Sequence, residues 1–165
     1  MRSHARYVLI VIMGLSLGAC RQADGPMPTP NENRQEELVD VTRDLQNVAS
    51  GRDPQAPRDL AEDLRKYTDS PSAELVVDEL SQRVSTVLTG VDLTEQAAQR
   101  LTHNLWLSVA ASELSGRQVE TLQNDVQSLL MAEGVAEEDA QQVAAQVGDV
   151  QGAVTVRPRR WYELF

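Results

Sequence analysis

The spacing of apolar residues is the feature that most restricts the fold of this chain. From residue 35 onward, apolar residues recur at steps of three and four, which is the period of one face of an α-helix. Within residues 35–50 they are Leu38, Val41, Leu45, Val48 and Ala49. No segment shows the sustained alternation of a β-strand. The pattern therefore predicts an all-α fold.

Glycines and helix-capping residues divide this pattern into six segments. Gly51, Gly90 and Gly134 each follow an apolar run and are typical of helix ends. The expected starts are Pro57, Ser70-Pro71, Asp92 with Glu95 three residues on, and Ser115 with Gln118 three residues on. The predicted helices are 35–50, 57–67, 71–89, one from Asp92, one from Ser115 to Gly134, and 136–150. The inward residues predicted for the third helix are Val76, Leu80, Val84, Val87 and Leu88.

Short connections between these helices predict antiparallel neighbours in a bundle of five or six short helices. A fold built from repeated helical hairpins is the alternative to a simple bundle. The spacing of residues from Val41 to Gly51 recurs from Leu80 to Gly90 and begins again at Leu122. Three helical hairpins in series would resemble an α-solenoid. Any amphipathic helix with a glycine stop has this spacing, so we favour the simple bundle.

The first 19 residues have the three parts of a secretory signal peptide. Arg2 and Arg6 give a basic start, Tyr7 to Leu17 is an almost unbroken apolar run, and Gly18 and Ala19 are small. The apolar run is shorter than the roughly 20 residues that a membrane-spanning helix needs. Residues 1–19 are therefore predicted to direct export and then to be removed.

The junction Leu17-Gly18-Ala19-Cys20 resembles the lipobox of bacterial lipoproteins. The resemblance implies that the Cys20 thiol receives a diacylglyceryl group and that cleavage falls between Ala19 and Cys20. Arg21, in place of the Asp that retains such proteins at the inner membrane, implies the outer membrane, facing the periplasm. An ordinary signal peptide with an incidental cysteine is the alternative. The position of Cys20, the only cysteine in the chain, favours the lipid anchor.

Composition divides the remainder into three parts. Residues 20–34 comprise the lipidated cysteine and a Pro- and Asn-containing segment, predicted to be a flexible, disordered tether. Residues 35–156 form the predicted bundle, and residues 157–165 form a basic and aromatic tail. Without the leader the chain has 13 basic and 25 acidic residues, a formal charge of −12. This charge argues against nucleic acid as a partner.

No pattern in the chain indicates catalysis or a cofactor. Outside the leader the only histidine is His103, which is predicted to be a packing or surface residue. Metal-ligand, phosphate-loop and nucleophile motifs are missing, and no small-molecule substrate is evident. The acidic strip Glu36, Glu37, Asp40 and Asp44 is interpreted as a solvated face, with a divalent-cation site as the alternative. We therefore predict a non-enzymatic interaction or structural module of the cell envelope, with an envelope protein as partner.

A second resemblance supplies the alternative function. Leu114-Ser115-Gly116-Arg117-Gln118 is similar to the LTxxQ signature of small helical periplasmic chaperones and metal-stress sensors. It implies a periplasmic chaperone or an envelope-stress accessory protein. The same residues also have the pattern of a hydrophobic staple with a capping box. An enzyme is the third hypothesis.

The tail differs from everything that precedes it. Its candidate partner-binding residues are Arg159, Arg160, Trp161, Tyr162 and Phe165. In one interpretation the aromatic rings fold back onto the bundle, where each would bury a large area. In the other the tail stays exposed and docks on a partner, since Trp, Tyr and Arg dominate interface energies.

Overall fold

The computed structural model describes residues 32–68, 71–111 and 114–155. Within these residues the chain is all-helical and contains no strand, which confirms the predicted fold class. The six helices are α1 (Glu32–Ser50), α2 (Ala56–Arg65), α3 (Pro71–Leu88), α4 (Glu95–Ala110), α5 (Gly116–Ala132) and α6 (Glu137–Thr155).

Helix α4 packs against four of the other five helices. It packs against α1, α5 and α6, and more lightly against α2. Ten of its 16 residues are buried. Polar side chains are among them, including Thr102, Asn104 and Ser108. Buried polar side chains also occur on α3 and α6, as Ser81, Ser85 and Gln151.

Helix α1 runs antiparallel to α4. The hydroxyl groups of Thr42 and Thr102, near the middle of each helix, lie 2.9 Å apart. At the end of α1, the carbonyl oxygen of Ala49 accepts a hydrogen bond from the backbone N–H of Gly90, shortly before α4 begins. The start of α1 therefore lies beside the end of α4.

Helix α5 runs antiparallel to α4, and helix α6 runs parallel to it. Glu133, just after α5, accepts hydrogen bonds from the backbone N–H and the hydroxyl of Thr94 at the start of α4. Near the end of α6, the side-chain amide of Gln151 donates to carbonyl oxygens of the last turn of α4. Helix α6 therefore ends beside the end of α4.

Consecutive helices pack together within the two halves of the chain, α1–α2–α3 and α4–α5–α6. Helices α3 and α4 follow one another closely in sequence but make no extended contact, and α3 packs instead against α2 and α6. Three hairpins in series would require α3 and α4 to pair. The arrangement is therefore the simple bundle.

Several helix boundaries differ from the predicted ones, and α2, for example, spans Ala56–Arg65 where 57–67 was predicted. Helix α1 begins at Glu32, three residues early, within the predicted tether, because polar residues can extend a helix without burying a face. The start predicted at Asp92 is wrong: Thr94 caps α4 by accepting a hydrogen bond from the backbone N–H of Ala97. Helix α6 continues to Thr155, since Gln151 and its neighbours contact α4.

The core residues follow the predicted apolar faces with one shift. Val77, not Val76, is fully buried on α3, and the predicted inward residues Val76 and Val87 are only partly buried. The helical period allows both positions, because Val77 lies three residues before Leu80 and Val76 lies four. Packing against α2 and α6 selects Val77.

Candidate interaction surface

The exposed face of α4 forms a strip between α1 and α5, and three adjacent depressions lie along this strip. We call this strip and the side chains that flank it the α4 groove. Helix α1 supplies Leu38, Val39, Thr42, Arg43 and Gln46; α4 and its cap supply Thr94, Glu95, Gln96, Gln99, Arg100, His103 and Asn104; α5 and its end supply Asp125, Ser128, Ala132 and Glu133.

The largest depression lies between α1 and α4 and has a volume of about 640 Å³. The next, of about 460 Å³, lies between α4 and Asp125 of α5. Gln99 and His103 line both. The two depressions therefore meet at these two side chains and form a continuous surface across α4.

His103 is held in place by a neighbouring ring. Its imidazole stacks on the indole of Trp106, with ring centroids 5.8 Å apart and an interplanar angle of 27°. Trp106 is 6% exposed. Burial lowers the pKa of His103 below its ordinary value, so the ring is neutral near pH 7 and presents one donor and one acceptor nitrogen. His103 combines the predicted packing role with a place in the α4 groove.

The chemistry of the α4 groove is that of uncharged hydrogen bonding. Gln46, Gln96 and Gln99 each present a carbonyl acceptor and an amide donor. Arginines and carboxylates also line the groove, but neither sign dominates. Val39, at the rim on α1, is 54% exposed and adds an apolar contact. Such a lining matches a polypeptide backbone better than a polyanion or a polycation.

Asp44, the last residue of the predicted acidic strip, lies near two aspartates of α2, and the side chains of Glu36 and Glu37 lie outside what the structure describes. Burial raises the pKa of Asp44 to about 7, with further contributions from Asp63, Asp59 and Asp40, while Arg43 lowers it. One carboxylate oxygen of Asp44 is buried and has no hydrogen-bond partner among the described residues. Arg43 is directed instead to Asp40, at 2.9 Å. Within the described part of the chain no group of three or more His, Cys, Asp or Glu side chains could hold a metal ion.

The motif that resembles the chaperone signature forms a complete helix cap. The Ser115 hydroxyl accepts from the backbone N–H of Gln118, and the Gln118 side chain accepts from the backbone N–H of Ser115, at 2.9 Å. This confirms the predicted capping box. Helix capping explains why Ser115 and Gln118 occur at these positions, so the motif does not by itself indicate a function.

Most of the predicted site residues lie outside the described residues. This applies to the cleavage and lipidation positions Ala19 and Cys20, and to the tail residues Arg159, Arg160, Trp161, Tyr162 and Phe165. Among the helices that are described, none has the length and apolar character needed to cross a bilayer. The predictions for the anchor and the tail therefore stay predictions.

The α4 groove is not among the sites predicted from the sequence. Its polar residues Glu95, Gln99 and His103 recur at steps of four on α4, opposite the apolar stripe, and this polar stripe was the available signal. The flanking residues of α1 and α5 are distant in sequence. Comparison with known proteins finds no match to this chain among family models, curated proteins or solved structures.

Proposed function

We propose that this chain is a lipid-anchored protein of the bacterial cell envelope that acts as a non-enzymatic interaction module. The observation that carries the proposal is the succession of a basic start, a short apolar run and small residues directly before Cys20, the only cysteine. Lipid chains on Cys20 would hold the module at a membrane, since each buried methylene contributes about 0.8 kcal/mol. Arg21 favours the outer membrane.

The α4 groove is the surface that we propose for binding a partner. Its occupant is an extended segment of an envelope protein, because amide and imidazole groups can pair with backbone N–H and C=O groups in either sense. The length of the groove supports this. Glu95 and His103 are eight residues apart on one helix, which corresponds to about 12 Å or about four residues of extended chain.

Site-specific photo-crosslinking tests the proposed groove. A photoreactive residue replaces Gln99, where the two larger depressions meet, and in the matched control it replaces Gln141, which is exposed on α6 and lines none of these depressions. We expect a discrete adduct with one envelope protein from position 99 only. A Gln96→Ala change should reduce its yield, because it removes one of the amide groups that are proposed to pair with the partner's backbone. Circular dichroism should show an intact helical fold.

Two outcomes would contradict the proposal. Identical adducts from positions 99 and 141 would mean that the α4 groove has no special role. A heterogeneous set of adducts with unfolded proteins at position 99 would favour the alternative, a periplasmic chaperone or envelope-stress accessory protein. An enzyme remains the third hypothesis, and no arrangement of the described residues favours it over the other two.

A further inference from the structure

A buried amide lines the depression between α4 and α5, the second largest in the α4 groove. The amide belongs to Asn104, which borders this depression although the residue is only 8% exposed. Among the described residues the Asn104 side chain has no hydrogen-bond partner, and neither of its amide atoms is sealed from the surface. Buried polar side chains are normally hydrogen-bonded. The Asn104 amide therefore has a donor and an acceptor available to a group that enters the depression.

Two side chains of opposite charge line the same depression, one from each wall. Arg100 belongs to α4 and Asp125 to α5, and both residues are exposed. Within the described part of the chain, neither forms an ion pair. Glu133 lines the neighbouring depression with Arg100, but its carboxylate is bonded to Thr94. The depression thus presents one positive and one negative group that do not bind each other.

An extended peptide has the shape that these three groups require. Successive side chains of an extended chain point to opposite sides, and its backbone N–H and C=O groups point along the edges between them. A peptide that lies along the depression can turn one backbone edge to Asn104. Its successive side chains then reach the α4 wall at Arg100 and the α5 wall at Asp125.

We propose that the depression between α4 and α5 binds a peptide segment in which two adjacent residues have opposite charges. The side-chain amide of Asn104 pairs with the backbone of the segment. An acidic side chain of the segment binds Arg100, and a basic one binds Asp125. This inference rests on the proposed role of the α4 groove in binding an extended partner, and it adds the sequence character of that partner.

Selection from a displayed library of random peptides tests this proposal. The target is the full chain, purified in detergent from the bacterium that expresses it, and the same library is selected on an Arg100→Glu variant. We expect the unsubstituted protein to enrich peptides in which an acidic and a basic residue are adjacent. The variant should instead enrich peptides with two adjacent basic residues, because the charge that selects the acidic one is reversed. Enrichment of the same peptides by both proteins would overturn the proposal.

Binding of the most enriched peptide, synthesised with a fluorescent label, measures the contribution of each group. Asn104→Ala should weaken binding about tenfold, since it removes a donor and an acceptor. Arg100→Gln and Asp125→Asn should each weaken it about threefold to tenfold. The matched controls are Arg52→Gln and Asp149→Asn, at exposed sites that line none of the three depressions. Each control should change the affinity less than about twofold, because distant exposed charges are screened.

Further variants separate failure of this inference from failure of the α4 groove. Gln46 lines the depression between α1 and α4 but not the one that contains Asn104. A selected peptide that is weakened by Gln46→Ala but not by Asn104→Ala would overturn the inference and leave the groove standing. A peptide weakened by neither change, or the absence of any enriched peptide, would contradict both.

Thermal melting of Asn104→Ala distinguishes a binding role from a structural one. Because the amide has no partner among the described residues, the change should leave the melting temperature within about 2 °C of that of the unsubstituted protein. A larger fall would show that the Asn104 amide stabilises the fold, which would overturn its role in binding.

Discussion

The side-chain amide nitrogen of Gln151, on α6, lies 2.8 Å from the carbonyl oxygen of Ala111, directly after the last residue of α4. The same nitrogen contacts the carbonyl oxygens of Leu107 and Ser108. The last carbonyl groups of a helix have no partner within the helix. The Leu107 carbonyl also accepts from the backbone N–H of Ala111. The side chain of Gln151, only 2% exposed, therefore serves mainly the carbonyl groups of Ser108 and Ala111 with its two amide hydrogens.

Replacing Gln151 with Ala should destabilise the bundle by about 2–3 kcal/mol. The change removes the donor to the carbonyl groups of Ser108 and Ala111 and opens a cavity. Chemical denaturation followed by circular dichroism measures the free energy of unfolding. Gln141→Ala, at an exposed site on the same helix, is the control and should change stability by no more than about 0.5 kcal/mol. Equal effects of the two changes would contradict the capping role.

Asp44 should make stability depend on pH. Its pKa is raised from 3.8 to about 7 in the folded protein, mainly by burial. Between these two pH values the folded state binds more protons than the unfolded state. The contribution of Asp44 to the free energy of unfolding therefore falls as pH rises from about 4 to about 7. Asp44→Asn should therefore be neutral near pH 4 and stabilising above pH 7, by about 1–2 kcal/mol after allowing for solvent screening.

Denaturation curves over this pH range test the role of Asp44. The control is Gln141→Ala, at an exposed site on α6, whose difference from the unmodified protein should not change with pH because neither side chain can titrate. A constant difference between Asp44→Asn and the unmodified protein from pH 4 to pH 8 would show that Asp44 titrates normally.

Ser115→Ala should cost about 1 kcal/mol of stability, because it removes the hydroxyl that accepts from the N–H of Gln118. Thr121→Ala is the matched control, since Thr121 is exposed within α5 and its hydroxyl bonds only to the preceding turn at Arg117. That change should be neutral or slightly stabilising, because Ala has the higher helix propensity. Thermal melting compares the two variants, and a larger loss for Thr121→Ala would contradict the assignment of the cap.

Gly90→Ala and Gly152→Ala should have effects of opposite sign. Gly90 has φ of 84°, a conformation that a Cβ atom disfavours, so Ala should destabilise by about 1 kcal/mol. Gly152 lies within α6, and an added Cβ would meet no atom within 4 Å. Ala there should stabilise by about 0.5–1 kcal/mol. Denaturant midpoints measure both, and two effects of the same sign would contradict the backbone assignment.

The helices could be predicted because their signals are local. The apolar faces, the glycine stops and the capping box at Ser115 depend on residues within about four positions of one another. The start of α4 could not be chosen from sequence, because Asp92 and Thr94 are both good N-cap residues. Glu133, 39 residues along the chain, bonds to Thr94 and adds a tertiary contact there.

The α4 groove could not be predicted because it depends on contacts between residues that are distant in sequence. Gln99 and His103 were visible as polar positions on a helix, but a groove exists only where α1 and α5 rise beside them. The placement of α1 rests on contacts such as that between Thr42 and Thr102, 60 positions apart in sequence. Gln151 was similarly unremarkable in sequence, since its partners lie on α4.

The most direct test of the central claim is the intact mass of the protein extracted from membranes of a bacterium that expresses the full chain. We predict a polypeptide that starts at Cys20 and carries the added mass of a diacylglyceryl group on that residue, with further acylation adding more. A Cys20→Ser variant should lack the added mass and retain residues 1–19. Detection of an unmodified Cys20, or of cleavage at another position in the unsubstituted protein, would contradict the lipid anchor.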